Sequence, residues 1–212
     1  MKGCPLLYCL GKFLTLLIAK SIFGYQVLNR NNIPRKGPFI IASNHISFYD
    51  PPLVGSATHR ICHFFAKREL FRNRLFGWVL RRVNAIPVNR KGIDRESINA
   101  VVRVLQQGGG VVLFPEGTRS RNGSLMEMKP GVGLIALKSG APIIPACIRN
   151  SEDAPRNRLT GRKVVITFAE PIWPDTFDKI ASGKDGYRRV TDEVSRRIMM
   201  LKGELKESHL IA

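Results

Sequence analysis

The chain has 212 residues, with 34 Lys and Arg against 16 Asp and Glu, which leaves a formal net charge of +18. That length suits one domain with a sizeable core, and its ordinary apolar content argues against a disordered chain. Cys4, Cys9, Cys62 and Cys147 show neither Cys-x-x-Cys nor paired histidine spacing, so they read as reduced thiols in a cytosolic setting and not as a disulfide framework or metal site. The excess of positive charge draws such a protein to polyanions: nucleic acid, anionic lipid or phosphorylated substrates.

From Pro5 to Gly24 the chain is mostly apolar, interrupted by Lys12 and Lys20. The longest clean run, Phe13 to Ala19, is short of the ~20 apolar residues a spanning helix needs unless both lysines are accommodated. Lys12 also breaks the apolar region of a signal peptide, and no small-residue cleavage site follows. An interfacial helix fits better, its apolar body in the lipid boundary and its lysines reaching to the headgroups. The competing reading is an amphipathic helix packed on the domain. A polar, turn-rich connector follows, Asn29 to Asn32 and Pro34 to Pro38.

Short apolar runs then alternate with helical patterns. Strands are predicted over 39–42, 61–66, 85–88, 111–114, 142–148 and 164–169. Helices are predicted over 51–58, 69–81, around 98–105, over 131–139 and over 185–205. The last helix is expected to bury Tyr187, Val190, Val194, Ile198, Leu201 and Leu205. Gly108-Gly109-Gly110 is a helix stop; a strand follows it and no Gly-Lys-Ser/Thr is present, so it is not a phosphate loop. The alternation implies an α/β fold: a mixed, largely parallel sheet flanked by helices, with an N-terminal membrane-interacting helical segment. Chemistry in such folds sits on loops leaving strand ends.

The most informative segment is Asn44-His45-Ile46-Ser47-Phe48-Tyr49-Asp50, followed by Pro51 and Pro52. Proline pushes the preceding residue out of the α region and is welcome at a helix start, so Asp50 is predicted at a helix N-cap with His45 in the turn before it. Such a turn can fold imidazole onto carboxylate, the base-and-orienter half of a catalytic triad. Taken alone, this stands level with the reading of Asp50 as a helix cap and His45 as a turn residue. Three further segments place polar groups at strand ends: Lys67 to Leu70, Ile86 to Arg90, and Phe114-Pro115-Glu116-Gly117-Thr118-Arg119-Ser120.

Asn-His-x-Ser-x-x-Asp with Phe-Pro-Glu-Gly-Thr-Arg-Ser later in the chain resembles the glycerolipid acyltransferases, and most the bacterial-type 1-acylglycerol-3-phosphate acyltransferases. Lys67–Leu70, Val88-Asn89-Arg90 and Ile143-Ile144-Pro145 resemble further family blocks, so the likeness covers roughly residues 38 to 148. Asn84, Pro87 and Asn89 depart from the pattern and blur which headgroup is preferred. The resemblance implies an acyltransferase domain over 31–212 after a membrane-associating segment over 1–30. It implies an enzyme that moves an acyl group from acyl-CoA or acyl-carrier protein to lysophosphatidic acid, forming phosphatidic acid.

Within that chemistry His45 is the general base and Asp50 its orienter, and Ser47 is a turn hydroxyl and not a nucleophile. Arg119, Arg90 and Lys67 are the phosphate-binding cations. Gly117 and Thr118 belong to the loop whose amides are candidates for the oxyanion. Glu116 resembles a family residue that helps hold the acceptor, against the plainer reading of a buried acid paired with Arg119. Arg121 and Lys129 are assigned to the solvated surface. No cofactor or metal is implied. The partners expected are the acyl donor, the acceptor and an anionic membrane surface, with the protein peripheral or monotopic on the cytoplasmic face of the cell membrane. Another lysophospholipid or glycerol 3-phosphate is the alternative acceptor. A nucleic-acid-binding module rests on charge alone, since no recognition motif supports it.

Overall fold

The structure, a computed structural model, describes residues 5–89, 95–177 and 183–203. Seven strands form one sheet: β1 (Gln26–Leu28), β2 (Phe39–Ser43), β3 (Cys62–Lys67), β4 (Ala85–Val88), β5 (Gly110–Leu113), β6 (Ile143–Arg149) and β7 (Val165–Phe168). Their order is β1-β7-β6-β2-β5-β3-β4. β6, β2, β5, β3 and β4 run parallel, whereas β7 is antiparallel to β6 and carries β1 parallel to itself. The sheet is mixed and largely parallel, as the alternating pattern requires.

The helices are α1 (Pro5–Ile18), α2 (Asp50–Ala57), α3 (Arg74–Arg82), α4 (Arg95–Gln106), α5 (Gly131–Ser139), α6 (Ala154–Thr160), α7 (Pro174–Phe177) and α8 (Lys184–Lys202). Side chains alternate across β2. Ile40 and Ala42 join Val101 and Leu105 of α4, Ile135 of α5 and Val194 and Ile198 of α8 in one core. Phe39 and Ile41 face the other way, onto Leu53 and Val54 of α2 and Phe23. All five residues of β2 are buried, so the strand that leads to the His45 turn is covered on both faces.

Several expectations are corrected. The predicted helix over 69–81 splits: a 3-10 turn occupies Arg68–Phe71, and the helix begins only at Arg74, where the side chain of Asn73 accepts the Phe76 N–H at 2.9 Å. β1, α6 and α7 add to the elements read from the sequence, and β1 brings residues of the N-terminal segment into the sheet. Tyr187 and Leu201 are half-buried, and Leu205 lies outside the described residues. Lys12 does not reach outward; its ammonium donates to the Thr58 carbonyl at 2.7 Å, while the Tyr8 hydroxyl accepts the Cys62 N–H at 3.0 Å. α1 is thereby fastened along α2, yet its outer face exposes Leu6, Phe13 and Leu17, the first by 77%.

Each glycine of the 108–110 stop has its own reason. Gly108 takes a φ of +76°, and the Gly109 N–H closes onto the Val104 carbonyl at 2.9 Å, which ends α4. Gly110 lies against the Phe39 ring. Gly133 of α5 is a tighter constraint, because a Cβ there would stand 2.1 Å from the Tyr187 carbonyl oxygen of α8. Backbone cannot swing aside as a side-chain tip does. Gly133→Ala is expected to lower stability by about 1–3 kcal/mol, measured as a fall in Tm of several degrees; Gly11→Ala, inside α1 with open space around it, is expected to leave Tm the same or slightly higher.

Candidate active site

The C-terminal ends of β6, β2 and β5 lie side by side, and each delivers one part of the site. β2 leads into the His45 turn, β5 into Phe114–Ser120, and β6 into Ser151. Asn44 fixes the first of these to the third: its side-chain amide donates to the Ile148 carbonyl at 2.9 Å and accepts the Ile148 N–H at 2.8 Å.

The turn closes on Asp50. One oxygen, Oδ2, lies 2.8 Å from His45 Nδ1 and accepts the Ile46 and Ser47 N–H groups at 2.7 and 2.8 Å. The other, Oδ1, accepts the Ser151 hydroxyl at 2.5 Å. Asp50 and Ser151 are fully buried, whereas the His45 side chain keeps 17% of its surface exposed. Asp50 is the first residue of α2 and not its N-cap, which is Tyr49. The physical reason lies in the amides that follow it. A capping side chain accepts the N–H groups two and three residues on; Pro52 has none to give, and the Leu53 N–H is taken by the Tyr49 carbonyl at 3.0 Å. The carboxylate therefore turns back onto the loop. Because Oδ2 already accepts two amide hydrogens, Nδ1 is the donor in the imidazole pair, and Nε2 is left with its lone pair.

Phe114 stacks on the imidazole with ring centroids 4.3 Å apart, a second restraint on its plane. Ser47 is buried, and its hydroxyl accepts the Tyr49 N–H at 3.3 Å, a turn contact. Glu116 is 2% exposed and spends both oxygens on backbone: Oε1 accepts the His45 N–H at 2.8 Å and Oε2 the Met126 N–H at 3.1 Å. Burial pushes its carboxyl above the usual range, partly offset by those two amides. The pairing of Glu116 with Arg119 weighed from sequence gives way to these amides, because Arg119 points elsewhere: its guanidinium lies 3.3 Å above the centroid of Phe48.

Gly117 and Thr118 are exposed, and Gly117, at φ +70°, uses its N–H on the Phe114 carbonyl at 3.0 Å. Lys67 closes β3 on the same sheet edge and is exposed. Arg90 lies outside the described residues. The sequence reading missed one residue. Ser151 carries no motif, and only the placement of β6 beside β2 brings it to Asp50. Lys129 is exposed, as assigned, with its backbone N–H on the Pro115 carbonyl at 2.9 Å and its ammonium over Gly117, 3.0 Å from where a Cβ would stand. Among the described residues no cluster of three or more metal-ligating side chains occurs. The arrangement can take a proton at His45 Nε2 beside a basic loop.

Comparison with known proteins agrees with this geometry. Residues 24–149 match the family model described as Acyltransferase. A 1-acyl-sn-glycerol-3-phosphate acyltransferase of Bacillus subtilis is 30% identical over 186 residues, spanning 87% of this chain and 91% of that protein. One from Streptococcus pneumoniae is 27% identical over 213 residues, spanning 99% of this chain and 78% of its own length. The crystal structure of the 1-acyl-sn-glycerophosphate (LPA) acyltransferase PlsC from Thermotoga maritima superposes with a TM-score of 0.70 at 26% identity, over 94% of this chain and 81% of that one. With the family model covering more than half of its length and both strand-end motifs in register on one sheet edge, the chain belongs to the acyltransferase family.

Proposed function

We propose that this enzyme transfers an acyl group from a thioester, acyl-CoA or acyl-carrier protein, to the free hydroxyl of 1-acylglycerol 3-phosphate and so forms phosphatidic acid. The observation that carries the reading is the imidazole of His45 tied through Nδ1 to a buried carboxylate, with Nε2 open. An alcohol is a poor nucleophile until its proton is taken. His45 Nε2 removes that proton as the oxygen attacks the thioester carbonyl, and Asp50 stabilises the imidazolium that forms. Collapse of the tetrahedral species breaks the carbon–sulfur bond, and His45 returns the proton to the departing thiolate. The acceptor supplies the attacking oxygen, so Ser47 can remain a turn residue.

Arg119 and Lys67 are assigned to the acceptor's phosphate, Arg90 with them, and Lys129 adds a fourth cation at the same loop. Stacking on Phe48 leaves the guanidinium edge of Arg119 free to donate to phosphate while its face is occupied. Glu116 serves as a strut: it holds the His45 backbone and the 126–129 segment, and through these it positions the base and Lys129. The Gly117 amide is already used in its turn, so an oxyanion donor from this loop falls to Thr118.

At the bilayer, α1 is assigned to the cytoplasmic surface as an interfacial helix. The stretch Leu6–Phe23 is long and apolar enough to cross a membrane by length and composition. Tyr8 and Lys12, however, hold one side of it against α2 and β3, which suits a helix lying in the interface with its leucines outward.

Three measurements test this. His45→Ala is expected to reduce transfer to background with the fold intact, and Asp50→Asn to lower kcat by about 10²–10⁴. Ser151→Ala should lower kcat on the order of tenfold without changing KM for either substrate. Near wild-type rates for Asp50→Asn would return Asp50 to a helix-start residue with no part in the reaction. Arg119→Ala is expected to raise KM for the phosphorylated acceptor more than for the acyl donor; equal losses with phosphate-bearing and phosphate-free acceptors would remove that assignment. In flotation at high salt, the full chain should stay on vesicles and a variant lacking residues 1–24 should not. Salt screens the basic body but leaves apolar burial, worth ~0.8 kcal/mol per methylene, and identical salt-resistant binding by both would move the membrane face to the core.

A further inference from the structure

After β3 the chain passes along the same sheet edge as the His45 turn before returning through α3. That passage, residues 67–82, carries six Lys and Arg against the single acid Glu69. Within it, four large apolar side chains stand in solvent: Leu75 is 75% exposed, Phe76 47%, Trp78 45% and Leu70 42%. They are not loosely displayed. The Asn73 cap fixes the Phe76 N–H at 2.9 Å, and Gly77 lets the helix close on its preceding turn, where a Cβ would stand 2.7 Å from the Phe71 carbonyl oxygen. The guanidinium of Arg82 lies 4.8 Å from the centroid of the Trp78 ring. α3 also touches α1, so this patch borders the exposed leucines of the N-terminal helix.

We propose that α3 is a second membrane-seating element, which sets Leu75, Phe76 and Trp78 into the headgroup and upper acyl region of an anionic bilayer while the arginines at its two ends hold lipid phosphates. Charge selects the occupant. Six cations against one acid around exposed aromatic and aliphatic side chains, beside the exposed apolar face of α1, match a negatively charged lipid surface. Contact through both α1 and α3 defines an orientation that one helix cannot. The β3 end, with Lys67, then faces the lipid, and the lysolipid phosphate is bound at headgroup depth while its acyl chain stays in the bilayer. The inference rests on the reading of α1 as interfacial only in that both helices meet the same bilayer.

Trp78 is its own reporter. The chain has two tryptophans, and Trp173→Phe leaves Trp78 alone. The full-length Trp173→Phe protein is mixed with vesicles of phosphatidylcholine and phosphatidylglycerol, with and without bromine on the acyl chains, and bound protein is followed by sedimentation. The expected result is a blue shift of the emission on binding and its quenching by brominated chains. Protein that sediments with vesicles but emits as in buffer, unquenched, overturns the α3 proposal and leaves the α1 anchor standing; protein that does not sediment overturns both. In a second arm, Leu75→Asp with Phe76→Asp, with folding checked by circular dichroism, should lose activity toward vesicle-resident acceptor and keep it toward a short-chain, water-soluble one. Equal loss on both, or on neither, contradicts the proposal, as does a blue shift without vesicles that grows with protein concentration, which marks a second copy of the chain as the occupant.

Discussion

A carboxylate without water has to find its donors inside the protein, and Asp50 finds four. Burying an ionised group unpaired costs several kcal/mol, so the two turn amides, the imidazole and the Ser151 hydroxyl are what make this position possible at all. The rest of the local structure follows from supplying them. Pro52 has no amide to offer the side chain, and the Leu53 N–H goes to the Tyr49 carbonyl instead. Asn44 ties β2 to β6 by two hydrogen bonds and so brings Ser151 within reach. The fully covered β2 gives the turn a rigid base. Each piece is inexpensive by itself, and together they leave one imidazole nitrogen committed and the other open.

Glu116 repeats the logic on the neighbouring strand. It too is a buried acid whose oxygens are taken by backbone, and it joins the β2 turn to the segment after β5. The two acids thus act inward, on the geometry of the site, while the cations act outward. That division explains how so basic a chain keeps carboxylates at its centre without neutralising them with arginine. Arg119 rests on Phe48 and Lys129 over Gly117.

Local signals were legible where a physical pattern is local. The buried run of β2, the period of α4 and the turn around His45 could be read from neighbours in the chain, and so could the mixed α/β architecture. Strand neighbours could not. Ser151 meets Asp50 because β6 lies beside β2, a pairing that no residue near Ser151 announces. α6 escaped for the opposite reason: its Leu159 is 89% exposed and its Asn157 buried, which inverts the usual stripe. The cap reading of Asp50 fails because Pro52 lacks an amide and the Leu53 N–H is already bonded to the Tyr49 carbonyl. An amphipathic pattern does not say which polar residue finds a carbonyl on the domain, and so it points Lys12 outward although its ammonium meets Thr58. Arg119 stood out through its loop, but its rest on Phe48 depends on two turns from different strands.

The central claim is that the carboxylate holds His45 in one tautomer, Nδ1 protonated and Nε2 free. It is tested most directly by long-range nitrogen-15 correlation spectra of the histidine-labelled protein at a pH where the ring is neutral. The chain has four histidines, and His45 is identified by comparison with a His45→Gln variant. The account predicts a pyrrole-type shift at Nδ1 and a pyridine-type shift at Nε2, with Asp50→Asn moving the ring toward a mixture. A wild-type ring with the proton on Nε2, or exchanging between both nitrogens, would contradict it.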